Sequence, residues 1–339
     1  MHRFLSRSLL ASAGLVLSLG LSGCGDAGSS GTAPQPSAAG SGAASGGAAV
    51  RCDPVAGKEL VVLEDDKKLQ TADNIIPAIS AKAATPPLTE ALDKVSAALS
   101  QDDLIALNRS TDLDRKPPAA VAKEFVQSKG LATGVSGGSG KIVVGAANFS
   151  ENQTLANVYA EVLKGAGFDA SVKTVGNREL YAPALQKGEL QVVPEYVGTL
   201  TEFLNKRVNG PSAKPVASGD ATATAAELAK LGEKAGLKFG KPAEAADQNA
   251  FATTKAFADK YLVKTLSDLA AKCGGGVKLG GPTECPQRPF CRPGLEEKYG
   301  LKFTSFSALD AGGPLVKGAL RQGKISLGLV FSSDAAFAG

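Results

Sequence analysis

The feature that most limits the fold is an alternation of short apolar runs with helix-like stretches between Lys141 and Tyr196. Strand-like runs begin near Lys141, Ala170 and Leu190, and the segments between them repeat apolar residues at helical spacing. Elements that alternate in this way favour an α/β fold around a largely parallel sheet. The region 255–339 repeats the same pattern.

Two polar stretches follow these predicted strands, at residues 147–150 and 194–199. In open sheets of this class, ligands bind to loops at the carboxyl ends of the strands. The sequence therefore predicts that both stretches border a ligand site.

The first residues predict export from the cytoplasm. Residues 1–23 combine a basic start with an apolar run too short to span a bilayer, which is typical of a signal peptide. The run ends in a sequence that resembles a bacterial lipobox and implies a lipid on Cys24, with a plain secretory signal as the alternative. Residues 24–58 are predicted to be a flexible tether, since most of this stretch is Gly, Ser, Ala and Pro. We therefore expect an extracytoplasmic protein, lipid-anchored at the cell membrane.

The composition argues against several functions. A net charge of +4 is too small to indicate nucleic-acid binding. The single histidine, His2, is removed with the signal peptide, which excludes Ser-His-Asp and Cys-His catalysis and the commonest metal ligand. A G-x-S-x-G pattern at residues 134–138 therefore has no base to activate its serine. We expect no enzyme activity, cofactor or metal.

Four cysteines remain after Cys24, and an even number in an exported chain predicts disulfides. We favour a small loop closed by Cys285 and Cys291, which leaves Cys52 and Cys273 as the second pair. The other two connectivities remain open.

Several motifs, taken together and in order, resemble the substrate-binding proteins of glycine betaine/choline-type ABC transporters. The matching segments are 141–145, 148–151, 194–199, 288–301 and 330–334. The resemblance implies a two-lobed α/β fold of the type II periplasmic-binding-protein class, with a hinge and an interlobe cleft. It also implies a monomer that passes a small osmoprotectant to the permease subunits of an ABC uptake transporter.

The order of the segments departs from that family and predicts a circular permutation. Residues 59–131 resemble the family's C-terminal part, mostly in the first lobe, yet they precede the strand at Lys141 that usually begins the domain. A Gly/Ser linker at 132–140 would then join the positions that are the N- and C-termini in other family members. The first lobe follows at 141–254 and the second at 255–339. Domain termini often lie close together at the surface, so such a join is physically permitted. A mis-joined coding sequence is the alternative explanation.

The family binds a quaternary ammonium group in an aromatic cage, because such a cation has no proton to donate. The resemblance implies ligand contacts from nine side chains: Asn148, Phe149, Tyr181, Tyr196, Thr199, Asn249, Phe251, Arg288 and Asp334. Arg288 is expected to bind a ligand carboxylate, or else to form a salt bridge near Glu284. The remaining tyrosines, Tyr159, Tyr261 and Tyr299, are expected to pack in the core.

Two departures from the family leave the ligand open. Ala147 stands where the family carries a basic residue, and Thr71 to Asp73 stand where it carries an aromatic one. Choline or a different polar solute therefore fits the pattern as well as glycine betaine does. The alternative functions are a sensor or scaffold with the same clamp fold and a histidine-independent hydrolase.

Overall fold

The computed structural model describes residues 50–337. Its strands, in chain order, are β1 (Leu60–Leu63), β2 (Ile75–Ser80), β3 (Lys141–Ala146), β4 (Asp169–Thr174), β5 (Val192–Tyr196), β6 (Leu237–Phe239), β7 (Asn249–Thr254), β8 (Val277–Gly281), β9 (Phe303–Ala308) and β10 (Leu327–Phe331). They form two five-stranded sheets, each of which organises one lobe.

The helices cover these sheets. In chain order they are α1 (Pro86–Ala98), α2 (Gln101–Asn108), α3 (Pro118–Ser128), α4 (Ser150–Gly165), α5 (Arg178–Lys187), α6 (Val197–Asn209), α7 (Ala221–Ala235), α8 (Lys255–Tyr261), α9 (Leu266–Lys272), α10 (Arg292–Tyr299) and α11 (Pro314–Arg321). A π-helical turn (Arg109–Leu113) extends α2, and a 3₁₀ turn (Cys285–Gln287) precedes α10.

Sheet I, in lobe 1, has the strand order β4-β3-β5-β2-β6. Strands β3, β4 and β5 are parallel, whereas β2 is antiparallel to both of its neighbours. Both faces of the sheet are covered: Ile75 and Ile79 of β2 point into one apolar cluster, while Ile76 and Ala78 point into the opposite one. This explains why the strand is apolar throughout rather than alternating, as is usual for a sheet buried on both faces.

Sheet II, in lobe 2, has the strand order β9-β8-β10-β7-β1. It repeats the plan of sheet I, with three parallel strands, then an antiparallel strand, then an edge strand. Two segments cross between the lobes, one from β1 to β2 and one from β6 to β7. The predicted two-lobed α/β architecture is confirmed.

Two of the predicted boundaries are corrected. Residues 51–58 do not belong to the tether, because Cys52 forms a disulfide with Cys273 and Gly57 donates its backbone N–H to Arg321. The strand 249–254 belongs to lobe 2 rather than lobe 1, since it lies between β10 and β1. The favoured cysteine pairing is the one observed: Cys52 with Cys273 and Cys285 with Cys291.

The three tyrosines expected in the core are found there or packed against it. Tyr159 is fully buried in lobe 1, and Tyr299 is buried in lobe 2, where its hydroxyl bonds the Asp65 carboxylate. Tyr261 packs on Phe257, with ring centroids 4.7 Å apart. These three rings therefore serve the fold and lie outside the cleft described next.

Candidate functional site

A cleft lies between the lobes, at the carboxyl ends of the parallel strands of both sheets. Lobe 1 contributes the turn after β3, the start of α5 and the β5–α6 junction. Lobe 2 contributes the end of β10, the start of β7 and the loop around the 3₁₀ turn. This position agrees with the rule for ligand sites in open α/β sheets.

The turn after β3 is held by a buried amide. Asn152, on the first turn of α4, accepts the Ala147 N–H at 2.7 Å and donates to the Pro194 carbonyl at 2.9 Å. One side chain thus ties the ends of β3 and β5 together. Asn148 and Phe149 project from this fixed turn and line the cleft.

The first residue of α5 forms a buried ion pair. Arg178 donates from Nε and Nη2 to the two oxygens of Glu195, at 2.8 and 2.6 Å, and both side chains are at most 5% exposed. Burial alone would lower the pKa of Arg178, but the adjacent Glu195 raises it instead, so the guanidinium stays charged. Tyr181 donates its hydroxyl to Glu195 at 2.8 Å, and burial together with that carboxylate raises the pKa of Tyr181.

The β5–α6 junction is a direct strand-to-helix transition rather than the loop that the sequence predicted. Asp73, from the first crossing segment, accepts the N–H groups of Gly198 and Thr199 at 2.8 and 2.9 Å, and so caps α6. A Cβ at Gly198 would collide with Thr71 and the Ala72 carbonyl, which explains the glycine. Burial raises the pKa of Asp73 to about 7.

Aromatic rings form much of the cleft wall. Phe149 stacks on Tyr196 with centroids 6.2 Å apart and packs on Phe331 at 5.5 Å, so these rings from both lobes make a continuous surface. The other aromatic residues that line the cleft are Tyr181, Phe203 and Phe290. A surface of this kind suits a cation that cannot donate hydrogen bonds.

A disulfide-closed loop supplies the opposite wall. Between Cys285 and Cys291 the chain carries Arg288 and Phe290 to the cleft. The loop is fixed further because Asn249 donates to the Phe290 carbonyl at 3.1 Å. The disulfide and this hydrogen bond hold the cleft-lining face of the loop in place.

Arg288 connects the two lobes. It donates from Nε and Nη2 to the carboxylate of Glu179 on α5, at 3.0 and 2.8 Å. Burial would raise the pKa of Glu179, but the hydrogen bonds from Arg288 leave it lowered. The salt bridge expected near Glu284 is thus found, but with Glu179 across the cleft as the partner.

Two buried carboxyl groups meet at the junction of the lobes. The hydroxyl of Ser333 lies 2.6 Å from Glu151 Oε2 and 2.7 Å from Asp247 Oδ1. One hydroxyl has one proton, so it can donate to only one of these oxygens, and the other carboxyl group must itself carry a proton. Burial raises the pKa of both acids, which favours retention of that proton. Glu151 also accepts the Tyr196 hydroxyl at 2.8 Å, which links this junction to the aromatic wall.

Most of the predicted site residues line the cleft: Asn148, Phe149, Tyr181, Tyr196, Thr199, Asn249 and Arg288. Phe251 and Asp334 do not line it, which corrects those two predictions. Phe251 is two residues further along β7, roughly 6–7 Å away from the cleft edge, and packs in the core of lobe 2. Asp334 is buried in an ion pair with Lys317 of α11.

The sequence analysis missed several residues that line the cleft: Asp73, Asn177, Arg178, Phe203, Asp247, Glu284, Phe290 and Phe331. Phe331 ends a parallel strand, so the carboxyl-end rule could have found it. Asp73 and Asp247 lie in the crossing segments, and no local pattern shows which face of such a segment borders the cleft.

Two further observations concern residues 50–337. None of the helices described there is long and apolar enough to cross a membrane. The same range contains no group of three or more His, Cys, Asp or Glu residues that could hold a metal ion.

A two-lobed α/β fold with an aromatic and acidic interlobe cleft defines a ligand-binding protein of the clamp type. The sequence profile of the substrate-binding domain of ABC-type glycine betaine transport systems matches residues 53–128 and 140–339. The chain belongs to that family.

Individual relatives are more distant. A glycine-betaine-binding protein of Pseudomonas aeruginosa is 28% identical over 182 residues, which cover 50% of this chain and 55% of that protein. The chain therefore matches only about half the length of that relative. A crystal structure of a glycine betaine/carnitine/choline ABC transporter matches with 21% identity and a TM-score of 0.37, covering 57% of this chain and 70% of the other. Apo YehZ from Escherichia coli matches with 26% identity and a TM-score of 0.36, covering 56% and 69%.

Proposed function

We propose that the protein is the extracytoplasmic solute-binding component of an ABC uptake transporter, and that it captures a quaternary ammonium osmoprotectant. The observation that carries the proposal is the cleft wall, in which the rings of Phe149, Tyr196 and Phe331 form one surface across both lobes. The Glu284 carboxylate adds a favourable field for a cation, since it lines the same space. Membership of the substrate-binding family supports delivery of the ligand to permease subunits.

We propose that the protein has no catalytic activity of its own. The family is one of substrate-binding domains, and the acidic groups of the cleft are engaged in structural hydrogen bonds. The predicted signal peptide and lipid on Cys24 lie outside the described residues, and they remain our proposal for how the protein reaches and stays at the membrane surface.

We also propose that the segment order is a circular permutation. The support comes from the topology. The edge strand β6 of sheet I is the last strand of its lobe along the chain, whereas β1, which holds the same edge position in sheet II, precedes all the other strands. The family profile matches in two segments separated by residues 129–139, which include the Gly/Ser stretch. A variant that joins residue 339 to residue 59 and opens the chain within 132–140 should fold cooperatively and bind ligand within about threefold of the parent affinity. Failure of that variant to fold would contradict the permutation.

Replacing Phe331 by Leu tests the proposed function. The change keeps an apolar side chain but removes one π face from the cleft, so quaternary ammonium affinity should fall by about 3- to 30-fold. Isothermal titration of the purified protein with choline and with glycine betaine measures the loss.

Phe306→Leu is the matched control, since Phe306 is also half-buried in sheet II but lies outside the cleft. It should leave both affinities unchanged. Equal affinities for the parent and both variants, or no binding by a parent protein that melts cooperatively, would contradict the proposed ligand class.

A further inference from the structure

Two buried polar atoms in the cleft have no hydrogen-bond partner among the described residues: Nη1 of Arg178 and Oδ1 of Asn177. Both residues line the cleft. The orientation of the Asn177 amide is set by its Nδ2 group, which donates to Glu284 at 3.3 Å and leaves Oδ1 free. Buried groups of this kind are rarely left unpaired, so the pair points to a ligand that supplies one acceptor and one donor.

A hydroxyl group meets that requirement. It can accept a hydrogen bond from Arg178 Nη1 and donate its own proton to Asn177 Oδ1. A carboxylate can only accept, and it would leave Oδ1 facing another oxygen.

The charges of the cleft point the same way. Among residues 50–337, the cations that line it are Arg178 and Arg288, and each already presents Nε and Nη2 to a protein carboxylate, Glu195 and Glu179 respectively. A ligand carboxylate would therefore find the Nε–Nη2 fork of each arginine occupied and both guanidinium charges already paired with a protein carboxylate. It would also face the Glu284 carboxylate in the same wall, which adds a repulsive contribution.

We infer that the cleft selects a quaternary ammonium alcohol, such as choline, over carboxylate-bearing betaines, and that Glu179 and Glu195 determine this specificity by occupying the two arginine forks. The inference rests on the proposed function, since it concerns the ammonium and hydroxyl groups of the same quaternary ammonium ligand. The ammonium lies against the aromatic wall, and the hydroxyl lies between Asn177 and Arg178.

Glu179 is the better residue to test. Glu195 is buried and also accepts from Tyr181, so its removal would disturb the fold. The Glu179 side chain is 42% exposed, and Glu179→Gln removes the charge that neutralises Arg288 with little change in shape. The Nε and Nη2 groups of Arg288 can then bind the carboxylate of a ligand.

Isothermal titration of the purified protein with choline and glycine betaine tests the inference. The parent protein should bind choline at least about tenfold more tightly than glycine betaine. Glu179→Gln should raise glycine betaine affinity by about tenfold and change choline affinity by less than about threefold. Glu296→Gln is the matched control, because it removes a carboxylate from a similarly exposed ion pair with Arg292, outside the cleft.

A second comparison tests the hydroxyl. Ethyltrimethylammonium, which lacks only that group, should bind the parent at least about tenfold more weakly than choline, and Asn177→Ala should reduce this difference to less than about threefold.

The outcomes separate the two proposals. Glycine betaine binding as tight as choline to the parent, or no gain in Glu179→Gln, would overturn the specificity inference and leave the proposed function standing. No binding of either compound by a cooperatively melting parent would reject the function itself.

Discussion

The two lobes share one strand plan but are stabilised by different means. In sheet I all five strands come from one continuous run of chain, residues 75–239. The cleft face of this lobe is held by buried polar groups such as Asn152 and the Arg178–Glu195 pair. In sheet II the edge strand β1 comes from the N-terminal end of the described chain, and both described disulfides lie in this lobe.

The difference follows from chain entropy. Pairing two strands that are far apart in sequence costs more chain entropy than pairing two that are close. A disulfide beside such a distant strand therefore adds more to the free energy of unfolding. Cys52 lies just before β1 and is joined to Cys273, 221 residues away. Lobe 1 needs no such link, and its polar groups are free to shape the cleft.

The largest effect should come from breaking the Cys52–Cys273 link with a double Ser substitution. A loop of this length corresponds to about 5 kcal/mol of unfolding free energy in the chain-entropy description. The Cys285–Cys291 bond closes a separation of only 6 residues, so its double Ser variant should lose about 2 kcal/mol. Urea unfolding of both variants measures the values, and equal losses would contradict the entropic account of lobe 2.

The next effect concerns the polar core of lobe 1. Glu195→Gln leaves the buried Arg178 without its counter-ion and should cost about 3–5 kcal/mol. Glu179→Gln breaks a pair of similar geometry that is partly exposed, so it should cost only about 0–1 kcal/mol. Chemical denaturation compares the two, and a loss for Glu179→Gln that equals that of Glu195→Gln would show that burial is not what separates these pairs.

A further effect is a pH dependence at the junction. Burial raises the pKa of Asp73 from 3.8 to about 7, so the folded protein binds this proton more tightly than the unfolded chain. The resulting stability is full below about pH 3.8 and is lost as the pH rises through about 7.

Asp73→Asn keeps the oxygen that caps α6 but cannot ionise, so it is the matched reference. The ligand-free parent should lose stability relative to this variant between about pH 4 and 7, as measured by urea unfolding at a series of pH values. A bound quaternary ammonium should reduce the difference, because a nearby cation favours the carboxylate. Parallel stability curves for parent and variant would show that Asp73 does not titrate in this range.

Much of the fold was predictable from local pattern. The runs at Lys141, Ala170 and Leu190 became β3, β4 and β5 with small shifts at their ends. Strands β3 and β5 are mostly buried and therefore apolar, whereas the edge strand β4 is mostly exposed and carries polar residues. The stretch 194–199 was predicted as a loop but continues β5 through Tyr196 and enters α6 directly, since Asp73 caps the helix from a distant segment.

The site was only partly predictable. Tyr196 ends β5 and Asn148 follows β3, so both the carboxyl-end rule and the family resemblance identified them. The prediction for Phe251 was wrong because the sequence does not distinguish a strand position at the cleft edge from one two residues away. The role of Arg288 also depended on Glu179, which lies in the other lobe and has no sequence relation to it.

The sequence by itself determined the α/β class, the absence of histidine chemistry from residues 50–337, and the supply of aromatic and cysteine residues. These properties are local or compositional, and any fold of this chain would carry them. The tertiary structure alone decided that the Nε–Nη2 fork of each cleft arginine is occupied, that the Ser333 hydroxyl lies between Glu151 and Asp247, and that Asn177 and Arg178 leave one acceptor and one donor without a partner among the described residues. Each of these depends on where distant side chains meet, and distances of a few ångströms between crossing segments are set by packing rather than by pattern.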